Sequence, residues 1–161
     1  MNEPIRVFTD GSAIGNPGPG GWAAIIIQGK SKRTIYGGNN HTCIAEMELT
    51  AAFEALTLVP GGTAITLHSD SDMLIQGMKH LTKKWISQGW RNRRGQPLKY
   101  QALWTQLLDL DRNLRIRWCW IRGHNGHPIQ QEADSIAFSQ AATRKKYLLD
   151  DASSNYRTLA A

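Results

Sequence analysis

Two short apolar runs near the start of the chain, residues 5–9 (IRVFT) and 22–28 (WAAIIIQ), are separated by DGSAIGNPGPGG, a stretch so dense in glycine and proline that it forms no helix. Parallel strands need a long crossover, usually helical, so these two runs pair antiparallel. Residues 33–38 follow the turn at Gly29 and add a third strand. Beyond them the pattern alternates. Ile44, Met47, Ala51, Ala52, Ala55, Leu58 and Val59 recur at helical spacing over 43–59 and stop at Pro60-Gly61-Gly62. A strand over 64–69, helices over 71–81, 82–88 and 100–111, a strand over 115–122 and a helix over 128–143, with Pro128 near its first turn, complete the series. The expected fold class is α/β, a five-stranded mixed sheet with three antiparallel leading strands and then parallel ones, flanked by helices. One domain over 1–149 is expected, with 150–161 a polar, frayed tail.

Composition narrows the function classes. No apolar run approaches the roughly 20 residues of a membrane span, and MNEPIRVF lacks the features of a secretory signal, so a cytoplasmic protein with no membrane partner is expected. Cys43 and Cys119 form neither a CxxC pair nor a disulfide framework. The net charge of +6 is concentrated. Residues 73–108 contain no acid but carry seven cations, Lys79, Lys83, Lys84, Arg91, Arg93, Arg94 and Lys99, which leaves the remainder close to neutral. One basic segment on a near-neutral body suits a polyanion, because phosphates are attracted and their counterions released.

The acids lie elsewhere. Asp10 and Asp70 each follow an apolar strand, in VFTDGS and TLHSDS, where the crevice beyond the strand ends of an α/β sheet takes ligands; an aspartate there is also an ordinary turn-former or helix cap. Glu48 is more telling, because at about 100° per residue it falls in the middle of the apolar face of its helix. A carboxylate turned toward a core pairs with a cation such as arginine, takes up a proton, or sits at a cavity edge with a metal ion. Asp134 lies early in the last helix, where it also complements the helix dipole. Four acids gathered at one end of a sheet need positive charge between them, and oxygen-only ligands point to Mg²⁺ or Mn²⁺ and thence to phosphodiester hydrolysis.

Five stretches, TDGSAIGNPGPGGWAAII, EMELTAAFEAL, HSDSDMLIQGM, WISQGWRN and IRGHNGHP followed by Asp134, together resemble bacterial ribonuclease H of type 1 over about residues 6–142. The resemblance implies a ribonuclease H-like fold and an endonuclease that cleaves the RNA strand of RNA–DNA hybrids, leaving 5′-phosphate and 3′-hydroxyl ends. It implies a monomer without an obligate protein partner. Asp10, Glu48, Asp70 and Asp134 would ligate two Mg²⁺ ions, or Mn²⁺ in their place, with substrate bound. His124 in RGHNGHP would help to position or deprotonate water or ease product release, whereas His127 is read as structural. Gly11, Ser12 and Asn16 would meet RNA. A basic handle at about 80–99, with Lys83, Lys84, Trp85, Trp90, Arg91, Arg93 and Arg94, would grip the DNA strand, although Trp85 also continues the apolar stripe of Leu74, Met78 and Leu81.

The chain departs from that family at three places. Cys43-Ile44-Ala45-Glu46 stands where the family has hydroxyl and amide residues, with Thr42 and Cys43 left as phosphate contacts. Asp72 replaces a common amide two residues from Asp70, and Ile129-Gln130-Gln131-Glu132 replaces an Asn-Glu pair, with Gln130 able to offer its amide to RNA. Altered substrate affinity is expected, and a hybrid-binding protein of low or lost activity is the alternative.

Overall fold

The computed structural model describes residues 3–123 and 126–159. Strands β1 (Ile5–Ala13), β2 (Gly18–Gln28) and β3 (Ser31–Thr42) open the chain, followed by α1 (Ile44–Thr57), β4 (Ala64–Ser69) and α2 (Asp72–Gln76). A π-helical turn (Gly77–Leu81), α3 (Thr82–Ser87), α4 (Gln101–Asn113), β5 (Arg115–Trp120) and α5 (Pro128–Leu159) complete it. The sheet runs β3-β2-β1-β4-β5, antiparallel across β3, β2 and β1 and parallel across β1, β4 and β5. This is the expected mixed sheet.

Alternation along β1 sorts the side chains onto two faces. Val7 faces the larger core, with Leu49, Ala52 and Leu56 of α1, Leu67 of β4, and Trp104 and Leu107 of α4. Phe8 faces the opposite side, where Ile25 and Ala133 of α5 meet it. The sheet is therefore covered on both faces, by α1 and α4 on one and by α5 on the other. No helix among the described residues is long and apolar enough to cross a membrane.

The glycine-rich stretch differs from the long loop expected. β1 continues to Ala13 and β2 begins at Gly18, so the hairpin closes over 14–17, with the Ile14 N–H donating to the Pro19 carbonyl at 2.8 Å. Two of its glycines, Gly11 and Gly21, serve helix packing. A Cβ on Gly21 would overlap the Ala137 carbonyl of α5, and one on Gly11 would lie 2.5 Å from the Glu48 nitrogen of α1. Glycine at these positions lets backbone lie against backbone.

α5 also runs past Thr143, where its apolar periodicity stops, to Leu159. The added turns carry exposed Tyr147 and Leu149, and residues such as Ala142, Arg144, Lys145, Lys146 and Leu148 are strong helix formers, so intrinsic propensity extends the helix beyond the face that the sheet buries.

Candidate active site

The two strand-end aspartates meet where the strand order reverses. β1 pairs with β2 as far as Ala13, but its pairing with β4 stops at Phe8–His68, which opens a crevice between β1 and β4. Asp10 therefore lies inside β1 rather than at its end, two residues beyond the last β4 partner. Asp70 follows directly on β4. A crevice at such a reversal is the usual ligand site of an open α/β sheet.

Glu48 enters this crevice from α1. Because Gly11 has no side chain, α1 lies directly against β1, and one carboxylate oxygen each from Asp10, Glu48 and Asp70 falls within 4.8 Å of the others. Asp10 and Glu48 are 3% and 5% exposed. Asp10 Oδ1 accepts the Gly11 N–H at 2.9 Å, while Asp10 Oδ2 and Glu48 Oε2 are buried with no hydrogen-bond partner. The ion-pair explanation for Glu48 is ruled out among the described residues, since its carboxylate neighbours are Asp10 and Asp70 and no cation reaches it.

Burial pushes the Asp10 carboxyl up to about 7, and the charges of Asp70 and Asp134 add to the rise; hydrogen bonds from Glu48 and the Gly11 N–H oppose it. Burial, then the charge of Asp10 and a hydrogen bond to it, raise Glu48 well above the usual carboxylate range. The two carboxyls therefore titrate as a pair, and the pair holds a proton more readily than either acid would alone. Burial and mutual repulsion thus disfavour the charged forms of Asp10 and Glu48, and a cation between them would relieve both.

Asp134 approaches from the opposite face of the sheet. It lies half-buried in the second turn of α5, outside the 4.8 Å group but close enough for its charge to raise Asp10. His124 lies outside the described residues.

A family model for RNase H matches residues 2–142. The chain belongs to the ribonuclease H family of enzymes. It is 44% identical over 136 residues to a ribonuclease H of Hahella chejuensis, covering 84% of this chain and 91% of that one. It is 37% identical over 137 residues to a ribonuclease HI of Caulobacter vibrioides, covering 85% and 92%. Among solved structures, LC9-RNase H1, a type 1 RNase H with the type 2 active-site motif, superposes with a TM-score of 0.78 at 23% identity over 89% of this chain and 75% of that one. LC11-RNase H1, solved in complex with RNA/DNA hybrid, gives 0.64 at 17% identity over 86% and 97%. The last two establish a shared fold.

Within this ribonuclease H, several residues that the sequence assigns to substrate have other commitments. Gly11 gives its N–H to Asp10 and its Cα face to α1, so it sets the spacing between Asp10 and Glu48. Gln130 is 4% exposed and its amide donates to the Thr9 carbonyl at 3.0 Å, which ties α5 to β1 beside Asp10 and withdraws the amide from the surface. The Cys43 thiol is engaged by the Tyr100 hydroxyl at 2.7 Å, and the Thr42 hydroxyl donates to Glu46 Oε2 at 2.6 Å. Asp72 is exposed in the first turn of α2 and accepts weakly from Gln76 at 3.4 Å. Ser12 is half-buried opposite Gly21, and Asn16 is exposed at the hairpin tip. His127 packs into the fold: its ring tilts over Phe8 at 5.0 Å and its Nδ1 accepts from the Gln130 N–H at 3.5 Å.

The basic segment stands on an aromatic base. Trp85 and Trp90 are half-buried, face each other at 6.2 Å and pack on the main core, with Trp85 meeting Trp104 edge-on at 5.0 Å. Their packed sides hold the segment down on the core. Lys83, Lys84 and Arg91 are exposed, and Arg91 Nη1 donates to the Gly95 carbonyl at 2.7 Å.

Two functional neighbours carry no motif of their own. The Trp120 indole N–H donates to the Asp70 carbonyl at 3.2 Å, fixing the turn that aims Asp70, while the indole remains 48% exposed at the crevice. A Cβ on Gly123 would lie 2.6 Å from Asp70 Oδ2, so a side chain there would displace this carboxylate. The glycine was visible in RGHNGHP, but its purpose depends on a partner 53 residues away.

Proposed function

We propose that this ribonuclease H is an endonuclease that hydrolyses the RNA strand of RNA–DNA hybrids with Mg²⁺ or Mn²⁺, leaving 5′-phosphate and 3′-hydroxyl ends. The observation that carries the reading is the trio of acid oxygens within 4.8 Å, two of whose carboxylates hold a buried oxygen without a partner. Such a donor set fits a hard divalent cation, which satisfies both oxygens and removes the repulsion that raises Asp10 and Glu48. Asp10, Glu48 and Asp70 are the proposed ligands, with Asp134 completing a site for two ions when substrate is bound. A divalent ion held there supplies counter-charge and Lewis acidity to a phosphodiester. The protein aims the carboxylates through Gly11 and Trp120.

The hybrid is gripped from the side. Lys83, Lys84, Arg91, Arg93 and Arg94 meet backbone phosphates of the DNA strand, Ser12 and Asn16 lie on the RNA side of the crevice, and His124 assists proton transfer or product release. The enzyme acts as a monomeric catalytic domain of the cytoplasm, with residues 1–149 as its working unit.

Labelled hybrid, single-stranded RNA and duplex DNA, each incubated across a titration of Mg²⁺ and Mn²⁺, test this reading. Cleavage of the hybrid's RNA strand alone is expected, and equal cleavage of all three substrates, or of duplex DNA alone, would refute it. The engagement of Cys43 and Thr42 by side chains of the protein itself favours a second reading, a hybrid-binding protein with little turnover. Tight hybrid binding with cleavage no faster than that of Asp10→Asn would select it.

A further inference from the structure

Tyr100 is one of two non-glycine residues in the left-handed region among the described residues, at φ 63°, a conformation that bulky side chains rarely adopt unless their surroundings hold them there. It joins the basic segment to α4: the residue before it is Lys99, and its carbonyl accepts the Trp104 N–H of the first turn of α4 at 3.0 Å. Its ring packs on the main core and its hydroxyl reaches the Cys43 thiol, at the N-cap of α1, with an O···S separation of 2.7 Å. The bond to Cys43, with burial and the Cys43 and Glu46 charges behind it, pushes the Tyr100 hydroxyl up to about 12, so its proton stays in place.

This contact bridges segments 57 residues apart in sequence. Around it lies a recess of about 300 Å³ lined by Asn16, Cys43, Ile44, Ala45, Lys99 and Tyr100. Three separate pieces of the proposed substrate surface therefore converge here: the hairpin tip, the start of the helix that carries Glu48, and the last cation of the basic segment. Cys43 itself is committed to Tyr100.

We propose that Tyr100 is a positioning residue for the nucleic-acid substrate, its bond to Cys43 clasping the basic segment to the start of α1 so that Lys99 stands beside Asn16 on one wall of the substrate groove. The proposal rests on the hybrid-cleaving reading above. In place of the hydroxyl and amide donors expected at 43–46, the chain uses a thiol–phenol pair to hold a neighbouring cation in place. Cys43 thus affects affinity through Tyr100.

Steady-state cleavage of hybrid by wild type, Tyr100→Phe, Cys43→Ala, Cys43→Ser and the Tyr100→Phe/Cys43→Ala double variant tests the clasp. Loss of one hydrogen bond predicts a KM raised about fivefold with kcat little changed in Tyr100→Phe and Cys43→Ala. Cys43→Ser, which keeps a hydrogen-bonding group, returns KM toward wild type, and the double variant is no worse than either single one. Thermal unfolding shows whether each variant is folded, and the two single variants provide independent readings if one is not. An active wild type with KM unmoved in the folded single variants, a fall in kcat at fixed KM, additive effects in the double variant, or Cys43→Ser behaving as Cys43→Ala would overturn the clasp alone. Wild type that leaves the hybrid intact while cutting another substrate would overturn the functional reading itself.

Discussion

The carboxylate crevice and the basic segment are built on opposite plans. In the crevice, charge is buried, its partners come from β1, α1 and the end of β4, and a missing side chain at Gly11 sets the spacing. In the basic segment, charge is exposed and what is buried is tryptophan. A buried charge responds steeply to small displacements because nothing screens it, whereas exposed cations act through a shared, screened field in which each contributes modestly. Catalysis should therefore depend on single residues of the crevice, and affinity on the sum of the cations.

The sharpest way to break this contrast is Asp10→Asn. Removing a ligand from the cluster is expected to lower hybrid cleavage by more than about 100-fold. The same change should stabilise the metal-free protein at pH 8. Asp10 has a folded value of about 7 against an ordinary 3.8, and Glu48 is raised as well, so the folded state holds more protons than the unfolded one between those limits. The stability this confers is fully present below the ordinary carboxylate value and is lost as pH rises through about 7. Thermal unfolding in EDTA from pH 5 to 8 should show wild type losing stability and Asp10→Asn losing less; parallel curves would mean the buried acids do not repel. Added Mg²⁺ should raise the wild-type midpoint most at pH 8.

Next in size is Gly11→Ala. Its Cβ would press on the α1 backbone beside Glu48, and overpacking of this kind costs about 1–3 kcal/mol. Unfolding by urea should detect that loss, accompanied by a fall in kcat as the acids separate. Wild-type kcat in a folded Gly11→Ala protein would show that the crevice tolerates displacement. Trp120→Phe keeps a ring but removes the indole donor to the Asp70 carbonyl, and is expected to weaken Mg²⁺ dependence or activity about tenfold. A metal titration of the cleavage rate reads it.

The smallest effects belong to the basic segment. Lys83→Ala and Lys84→Ala should each weaken hybrid binding a few fold without changing kcat, and removing one lysine–phosphate pairing should flatten the plot of log affinity against log salt by about 0.7–0.9. A collapse of kcat in either variant would mean that the two regions are not separable in the way their burial suggests.

Much of this was legible in the chain because the signals are local. Helical spacing, turn residues and the run of glycines and prolines set the order of the elements, and Glu48 betrayed itself as an acid on an apolar face. Where local rules compete, the reading shifted: Gly20 and Gly21, ordinary loop residues by propensity, lie in β2 because Thr42 of β3 crowds the one and α5 presses on the other, and α5 outruns its apolar stripe because its later residues favour helix without needing burial. The commitments of Gln130, Cys43 and Gly11 were illegible, since each depends on a partner remote in sequence or on the absence of space.

By itself, then, the sequence determined the antiparallel opening, the alternation that follows, the family, and which acids stand where an acid is out of place. Only the tertiary structure decided that Asp10, Glu48 and Asp70 share one crevice, that Trp120 and Gly123 shape the approach to Asp70, and that Tyr100 holds Cys43. Periodicity records which side of each element is buried. Distances between elements come from the packing of backbone on backbone, and no stretch of sequence read alone contains both sides of such a contact.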